Sequence, residues 1–231
     1  MNTYGSLIKK IGIKFEDESL LDKAFIHRSY LNEHRKEGIE SNERLEFLGD
    51  AVLELIATRY LFNKHPGKAE GELTNLRSAL VQGRHLAEVS KTMDLGKYLY
   101  LSNGEENSGG REKNYILANT LEAVIGAIYL DQGFEKASEF VNKFILSRLD
   151  EIIEKNLFAD PKSTLQEFVQ ERFEKTPTYS ILSEEGPDHE KEFEAGVYID
   201  EKLISSGKGS SKQKAESSAA ENALKDKSWQ S

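Results

Sequence analysis

The sequence predicts an all-α domain followed by a small α+β domain of order α-β-β-β-α. Three observations carry this. Apolar residues recur at three- and four-residue spacing through most of the first 150 residues of the 231-residue chain, the signature of amphipathic helices. The pattern changes at Ala159-Asp160-Pro161. Beyond that point Phe193, Ala195, Val197 and Ile199 alternate with Glu192, Glu194, Gly196, Tyr198 and Asp200, the two-residue period of a half-buried strand.

The helical spacing marks segments at about 19–33, 42–63, 72–93, 114–131 and 134–150. Breakers separate them: His65-Pro66-Gly67, the polar stretch Ser102–Lys113, and Gln132-Gly133. Asn103–Gly110 (NGEENSGG) reads as a mobile loop. Asp160 suits an N-cap and Pro161 the first helical position, so a helix over about 161–175 opens the second domain with Leu165, Phe168, Val169 and Phe173 on one side. Strands follow at Thr178–Leu182, around the alternating segment, and near 203–207. A last helix over about 211–226 buries Ala215, Ala219, Ala220, Ala223 and Leu224. The expected boundaries are 1–150 for the first domain, 151–159 for a linker and 160–228 for the second.

Composition excludes several classes. Cysteine is absent, which removes disulfide scaffolds, thiolate metal sites and cysteine catalysis. The five histidines show neither HExxH nor HxH spacing, and no GxxxxGK[ST] phosphate loop is present. The longest apolar run, Ala123–Leu130, is far below the ~18 residues a membrane span needs. Met1–Gly12 has no long apolar region, so no secretory signal is read, and a cytoplasmic setting without membrane partners is expected. The net charge of −9 argues on its own against a nucleic-acid partner. Both halves are acidic, with 21 basic and 25 acidic residues in 1–159 and 10 and 15 in 160–231. One stretch is an exception: Lys202–Ala215 holds four lysines (202, 208, 212, 214) and no acid. Screening over about 8 Å lets such a patch act locally.

The most informative segment is Asn42–Ile56, NERLEFLGDAVLELI. At 100° per residue, Glu43, Glu46, Asp50 and Glu54 fall within about 80° of one another. Leu45, Leu48, Val52, Leu55 and Ile56 take the opposite side. A plain solvated face is one reading of the acids. Two residues argue for more. Phe47 points near the acid stripe and away from the core, so a partner surface should cover it. Gly49 inside a helix costs about 1 kcal/mol against alanine, which suggests close approach by another backbone. The second segment, Ile116–Leu130, is apolar nearly all round, as in a buried helix. Its one carboxylate among these positions is Glu122, with Asn119 one turn earlier and Gly126 one turn later on the same face. A carboxylate there must be hydrogen-bonded, protonated or bound to metal. Glu46, Asp50, Asn119 and Glu122 together offer only oxygen, which suits magnesium and phosphodiester hydrolysis.

These residues resemble bacterial ribonuclease III. The resemblance rests on NERLEFLGDAVLEL (42–55), AFIHRSYLNE (24–33), AEGELTNLRSALV (69–81) and LANTLEAVIGAIYLDQG (117–133). The tail resembles a double-stranded-RNA-binding domain through its opening helix, GPDH (186–189) and GKGSSKQKAE (207–216). The resemblance spans nearly the whole chain and implies an all-α nuclease domain ahead of the RNA-binding domain. It implies a homodimer that cuts both strands of duplex RNA with magnesium-activated water, manganese substituting. The implied products carry 5′-phosphates, 3′-hydroxyls and short 3′ overhangs, and the implied substrates are ribosomal and other structured RNA precursors. By position, Glu46, Asp50 and Glu122 match metal-binding carboxylates, Glu43 and Glu70 match further acids of the catalytic centre, and Phe47 matches an aromatic of the dimer interface. Asn119 departs from the family's usual aspartate: it gives one neutral carbonyl oxygen and removes a charge. Two outcomes stay open, an active enzyme with weaker metal affinity or a duplex-RNA-binding protein whose cleavage is impaired.

Duplex RNA is read by shape across its minor groove. Gln166 and Gln170, four apart on one helix face, suit 2′-hydroxyls and base edges. His189 suits a second minor groove. Lys208, Lys212 and Lys214, at or near the start of the last helix, suit phosphate.

Overall fold

The computed structural model describes residues 4–34, 39–154, 161–187, 191–226 and 228–230. The chain divides into two compact units, Met1–Phe158 and Ala159–Ser231.

The first unit is helical. It contains α1 (Gly5–Ile11), α2 (Glu18–Ala24), α3 (Arg28–Glu33), α4 (Glu43–Lys64), α5 (Glu70–Val81), α6 (Gly83–Thr92), α7 (Asn103–Asn107), α8 (Asn114–Phe144) and α9 (Leu149–Glu154). Helix α1 is absent from the sequence reading, although Tyr4, Leu7 and Ile11 carry the right spacing and are all buried. The helix expected over 19–33 is two helices. Between them His27 N donates to Tyr100 O (3.1 Å) and Tyr100 N donates to Phe25 O (2.9 Å), so a long-range bridge takes the backbone groups that a continuous helix would use. The segment 72–93 likewise breaks at Gln82, whose backbone is extended (φ −60°, ψ 141°).

Ser102–Lys113 is not an irregular loop. Ser102 caps α7 by accepting from Glu105 N. The Glu33 carboxylate accepts from Asn103 N and Nδ2. Arg111 Nη1 donates to the carbonyls of Gly96 (2.8 Å) and Leu99 (3.0 Å). These bonds fold the segment into α7 and a 3-10 turn at Gly110–Glu112, despite its polar, glycine-rich composition.

The core of this unit gathers around α8. Leu121, Val124, Ile125 and Ile128 of α8 pack with Leu45, Leu53 and Ile56 of α4 and with Leu80, Leu86 and Phe140. Gly133 kinks α8 with φ 80°, a conformation that favours glycine. Leu55 corrects the sequence reading: it is 57% exposed, together with Phe62 one heptad on. At 100° per residue it sits on the border of the apolar side, and the core ends before it.

The second unit is α10 (Pro161–Phe173), β1 (Thr178–Glu185), β2 (Glu192–Ile199), β3 (Lys202–Gly209) and α11 (Lys212–Lys225). The strands form one antiparallel sheet in the order β1-β2-β3. Leu165 and Val169 of α10, Val197 of β2 and Ala219, Ala220 and Ala223 of α11 make its core, closed by Trp229. Small side chains let α11 lie close to the sheet: a β-carbon on Gly207 would stand 2.7 Å from Ser218 Oγ. The proposed cap Asp160 and most of the linker fall outside the described residues, as does His189.

Candidate active site

The site stands on the crossing of α4 and α8, and two glycines set how close the helices come. A β-carbon on Gly49 would lie 2.7 Å from the Glu122 carbonyl carbon and 2.9 Å from Gly126 N. One on Gly126 would lie 3.1 Å from the Leu45 carbonyl carbon and 3.2 Å from Gly49 N. Backbone therefore meets backbone, as the interior glycine suggests. Asn42, 3% exposed, fixes the start of α4 by donating from Nδ2 to Ala24 O (3.1 Å).

This crossing brings Glu46 and Asp50 of α4 to Asn119 and Glu122 of α8. Asn119 Nδ2 donates to Glu46 Oε1 (2.8 Å). Burial pushes the Glu122 carboxyl up to about 8, and the charges of Asp50 and Glu46 add to the shift. Burial also raises Glu46, with Glu43 and Asp50 adding to it; the Asn119 hydrogen bond and Arg28 oppose it. No hydrogen bond or ion pair reaches the Glu122 carboxylate among the described residues. A half-buried carboxylate in an apolar helix, repelled by two others, is a place for a cation. Among the described residues no three His, Cys, Asp or Glu side chains yet stand gathered as a metal-ligand set; the carboxylates feel one another without converging on a point. In donor chemistry, three carboxylates and one amide oxygen fit a hard divalent ion.

The other acids separate. Glu43 is exposed, accepts from Ser41 Oγ (2.8 Å) and has Arg28 Nη1 at 3.8 Å. Helical spacing cannot reveal Arg28 here, because it belongs to α3. Glu54 leaves the stripe by pairing with Arg77 Nε at 2.9 Å. Glu70 opens α5, is exposed and accepts from Thr74 Oγ1 (3.3 Å). Its charge is not among those that shift Glu46 or Glu122. Phe47 is 80% exposed, and Leu130 on α8 is 53% exposed beside it.

In the second unit Gln166 and Gln170 are both exposed on α10. Lys212 and Lys214 occupy the first turn of α11, where Ser211 caps the helix by accepting from Lys214 N. Lys208 stands four residues ahead of α11. It lies on β3, and its ammonium stands 3.3 Å from Glu192 Oε2. Glu194 and Glu185 add negative charge around it.

A helical unit carrying an acid cluster, joined to an α-β-β-β-α unit with a basic helix start, defines a nucleic-acid-processing enzyme with its own duplex-binding module. Comparison with known proteins agrees. The family described as Ribonuclease-III-like matches residues 17–149, and the double-stranded RNA binding motif matches residues 161–227. Ribonuclease 3 of Pelotomaculum thermopropionicum is 47% identical over 218 residues, covering 94% of this chain and 90% of the relative. Ribonuclease 3 of Carboxydothermus hydrogenoformans is 48% identical over 219 residues, covering 95% and 93%. The crystal structure of the nuclease domain of ribonuclease III from Campylobacter jejuni is 42% identical with a TM-score of 0.59, covering 64% of this chain and 97% of that one. The chain belongs to the ribonuclease III family and is an endoribonuclease with a double-stranded-RNA-binding domain.

Proposed function

We propose that the chain is a homodimeric, magnesium-dependent enzyme that hydrolyses both strands of duplex RNA in the cytoplasm. The observation that carries this is Glu122: a half-buried carboxylate with two carboxylates as electrostatic neighbours and, among the described residues, no cation of the protein acting on it. Glu46, Asp50, Glu122 and the Asn119 side-chain oxygen would hold the ion, and an oxygen set of this kind also accepts manganese. When bound, the ion supplies a Lewis acid that activates water and offsets charge on the phosphodiester.

The protein's own contribution is position. Two rigid helices locked at Gly49 and Gly126 hold the carboxylates. Asn119 orients Glu46 through its amide. Glu43 and Glu70, at the starts of α4 and α5, would serve as further acids once RNA is bound. Gln166 and Gln170 meet 2′-hydroxyls, His189 meets a second minor groove, and Lys212, Lys214 and, more weakly, Lys208 meet phosphates. Phe47 and Leu130 offer an apolar surface that a second copy covers. A related solved structure, the Campylobacter jejuni nuclease domain, is described with a region involved in dimer formation. Two such sites, one per strand, yield 5′-phosphate and 3′-hydroxyl ends with short 3′ overhangs. Ribosomal and other structured RNA precursors are the natural substrates.

The test is cleavage of a long duplex RNA in magnesium, with Glu122→Gln alongside. The chain cuts duplex and spares single strands; the variant binds duplex in a gel shift and does not cut. Cutting by the variant, or equal cutting of single strands, overturns the reading.

A further inference from the structure

The acid site must receive a polyanion. Glu43 and Asp50 both add negative charge at Glu46, with Glu122 beside Glu46 and Asp50, and an incoming phosphodiester adds more. One basic side chain appears among the groups that act on both Glu43 and Glu46, and it is Arg28. It opens α3 directly after the backbone bridge that ties Phe25 and His27 to Tyr100. Its position is therefore fixed by the nuclease fold rather than by a free loop.

Its side chain is 73% exposed, and Nη1 stands 3.8 Å from Glu43 Oε1, beyond hydrogen-bond length. Glu43 itself is held by Ser41. Among the described residues the guanidinium donates no hydrogen bond. Arginine carries five donors in a planar fork suited to phosphate. An exposed ion pair of this length adds little to stability. Arg44, the other arginine on this side, is turned to Glu40 at 3.9 Å.

We propose that Arg28 is a substrate-binding residue of the nuclease site. It contacts an RNA phosphate flanking the one that is cut, with Glu43 as the group that keeps its guanidinium facing the acid stripe. This rests on the proposed duplex-RNA hydrolysis at the same site. It assigns the site a phosphate contact of its own, in addition to those of the RNA-binding domain.

The experiment compares the unchanged chain with Arg28→Ala and Arg28→Lys. Steady-state cleavage of duplex RNA gives KM and kcat; filter binding in EDTA over a salt series gives the log–log slope. Arg28→Ala raises KM about tenfold, the worth of one hydrogen bond to a charged group, and leaves kcat within about twofold. Its salt slope falls by about 0.9, the value for one phosphate contact on duplex DNA. Arg28→Lys restores the slope and part of KM. A purely structural ion pair would move neither quantity. Unchanged KM and slope in Arg28→Ala overturn the proposal, as does a fall in kcat at constant KM. If the unchanged chain fails to cut, the hydrolase reading fails by itself. The slope then still decides whether Arg28 meets phosphate.

Discussion

Replacing Gly49 by alanine tests the helix crossing on which the site is built. The added carbon would sit 2.7 Å from the Glu122 carbonyl carbon and 2.9 Å from Gly126 N. Both neighbours are backbone, so no side-chain rotation relieves the clash and α4 and α8 must part. Overpacking costs about 1–3 kcal/mol, and more when rigid groups collide. Alanine returns about 1 kcal/mol through helix propensity. With backbone on both sides the cost lies at or above the upper end, about 3 kcal/mol, which leaves a loss of about 2 kcal/mol or more. At about 2–4 °C per kcal/mol for a domain of this size, the melting midpoint drops by about 4–8 °C. Activity falls further than stability, because a shift of about 1 Å in catalytic groups can cost about a hundredfold. The assay is a circular-dichroism melt with duplex cleavage measured well below the midpoint. Gly104→Ala is the control, since a β-carbon there meets nothing within 4 Å inside α7. An unchanged or higher midpoint in Gly49→Ala would refute the backbone-on-backbone crossing.

Three other predictions follow from the same geometry. Without divalent metal, Glu122 titrates higher in the folded than in the unfolded chain, so the folded state holds more protons between about 4.5 and 8. Stability therefore falls as pH rises through that window. Allowing for solvent screening, the loss is about 2 kcal/mol; urea midpoints should fall more steeply with pH in the chain than in Glu122→Gln, where the raised Glu46 remains, and an equal slope in both refutes it. Phe47→Ala should leave the melting midpoint nearly unchanged, since the ring is 80% exposed, yet shift sedimentation toward monomer; a persistent dimer contradicts its proposed role. The double variant Lys212→Ala/Lys214→Ala should lower the salt slope of duplex binding by about 1.8. Lys208→Ala should change it less, because Glu192 already holds that ammonium; an equal effect of Lys208 contradicts the assignment.

Much of this arrangement is legible in the sequence, for local reasons. The acid stripe of α4, the buried Glu122 and the two glycines follow from helical angles alone, and the two-residue period locates β2. The exposed Phe47 follows the same way. What escapes depends on contacts distant in sequence. The break after Ala24 exists because Tyr100 bridges to Phe25 and His27. The polar segment 102–113 is ordered by Glu33 and by carbonyls that Arg111 reaches. Arg28 joins the acid stripe from another helix. Strand β3 runs to Gly209 and takes in Lys208, longer than its apolar pattern suggests. Helix α1 differs, since Tyr4, Leu7 and Ile11 do carry helical spacing, over a stretch of only seven residues.

Asn119 decides how Glu46, Asp50, Asn119 and Glu122 act together as one ion-binding hydrolytic site. The decisive measurement is the rate of duplex RNA cleavage over a magnesium titration, for the unchanged chain and for Asn119→Asp. Both should cut, with the asparagine form needing more magnesium to reach half its maximal rate because its site carries one negative charge fewer. Cleavage by the aspartate variant with none by the unchanged chain at any magnesium concentration would contradict it, and would leave this chain a binder of duplex RNA that does not cut.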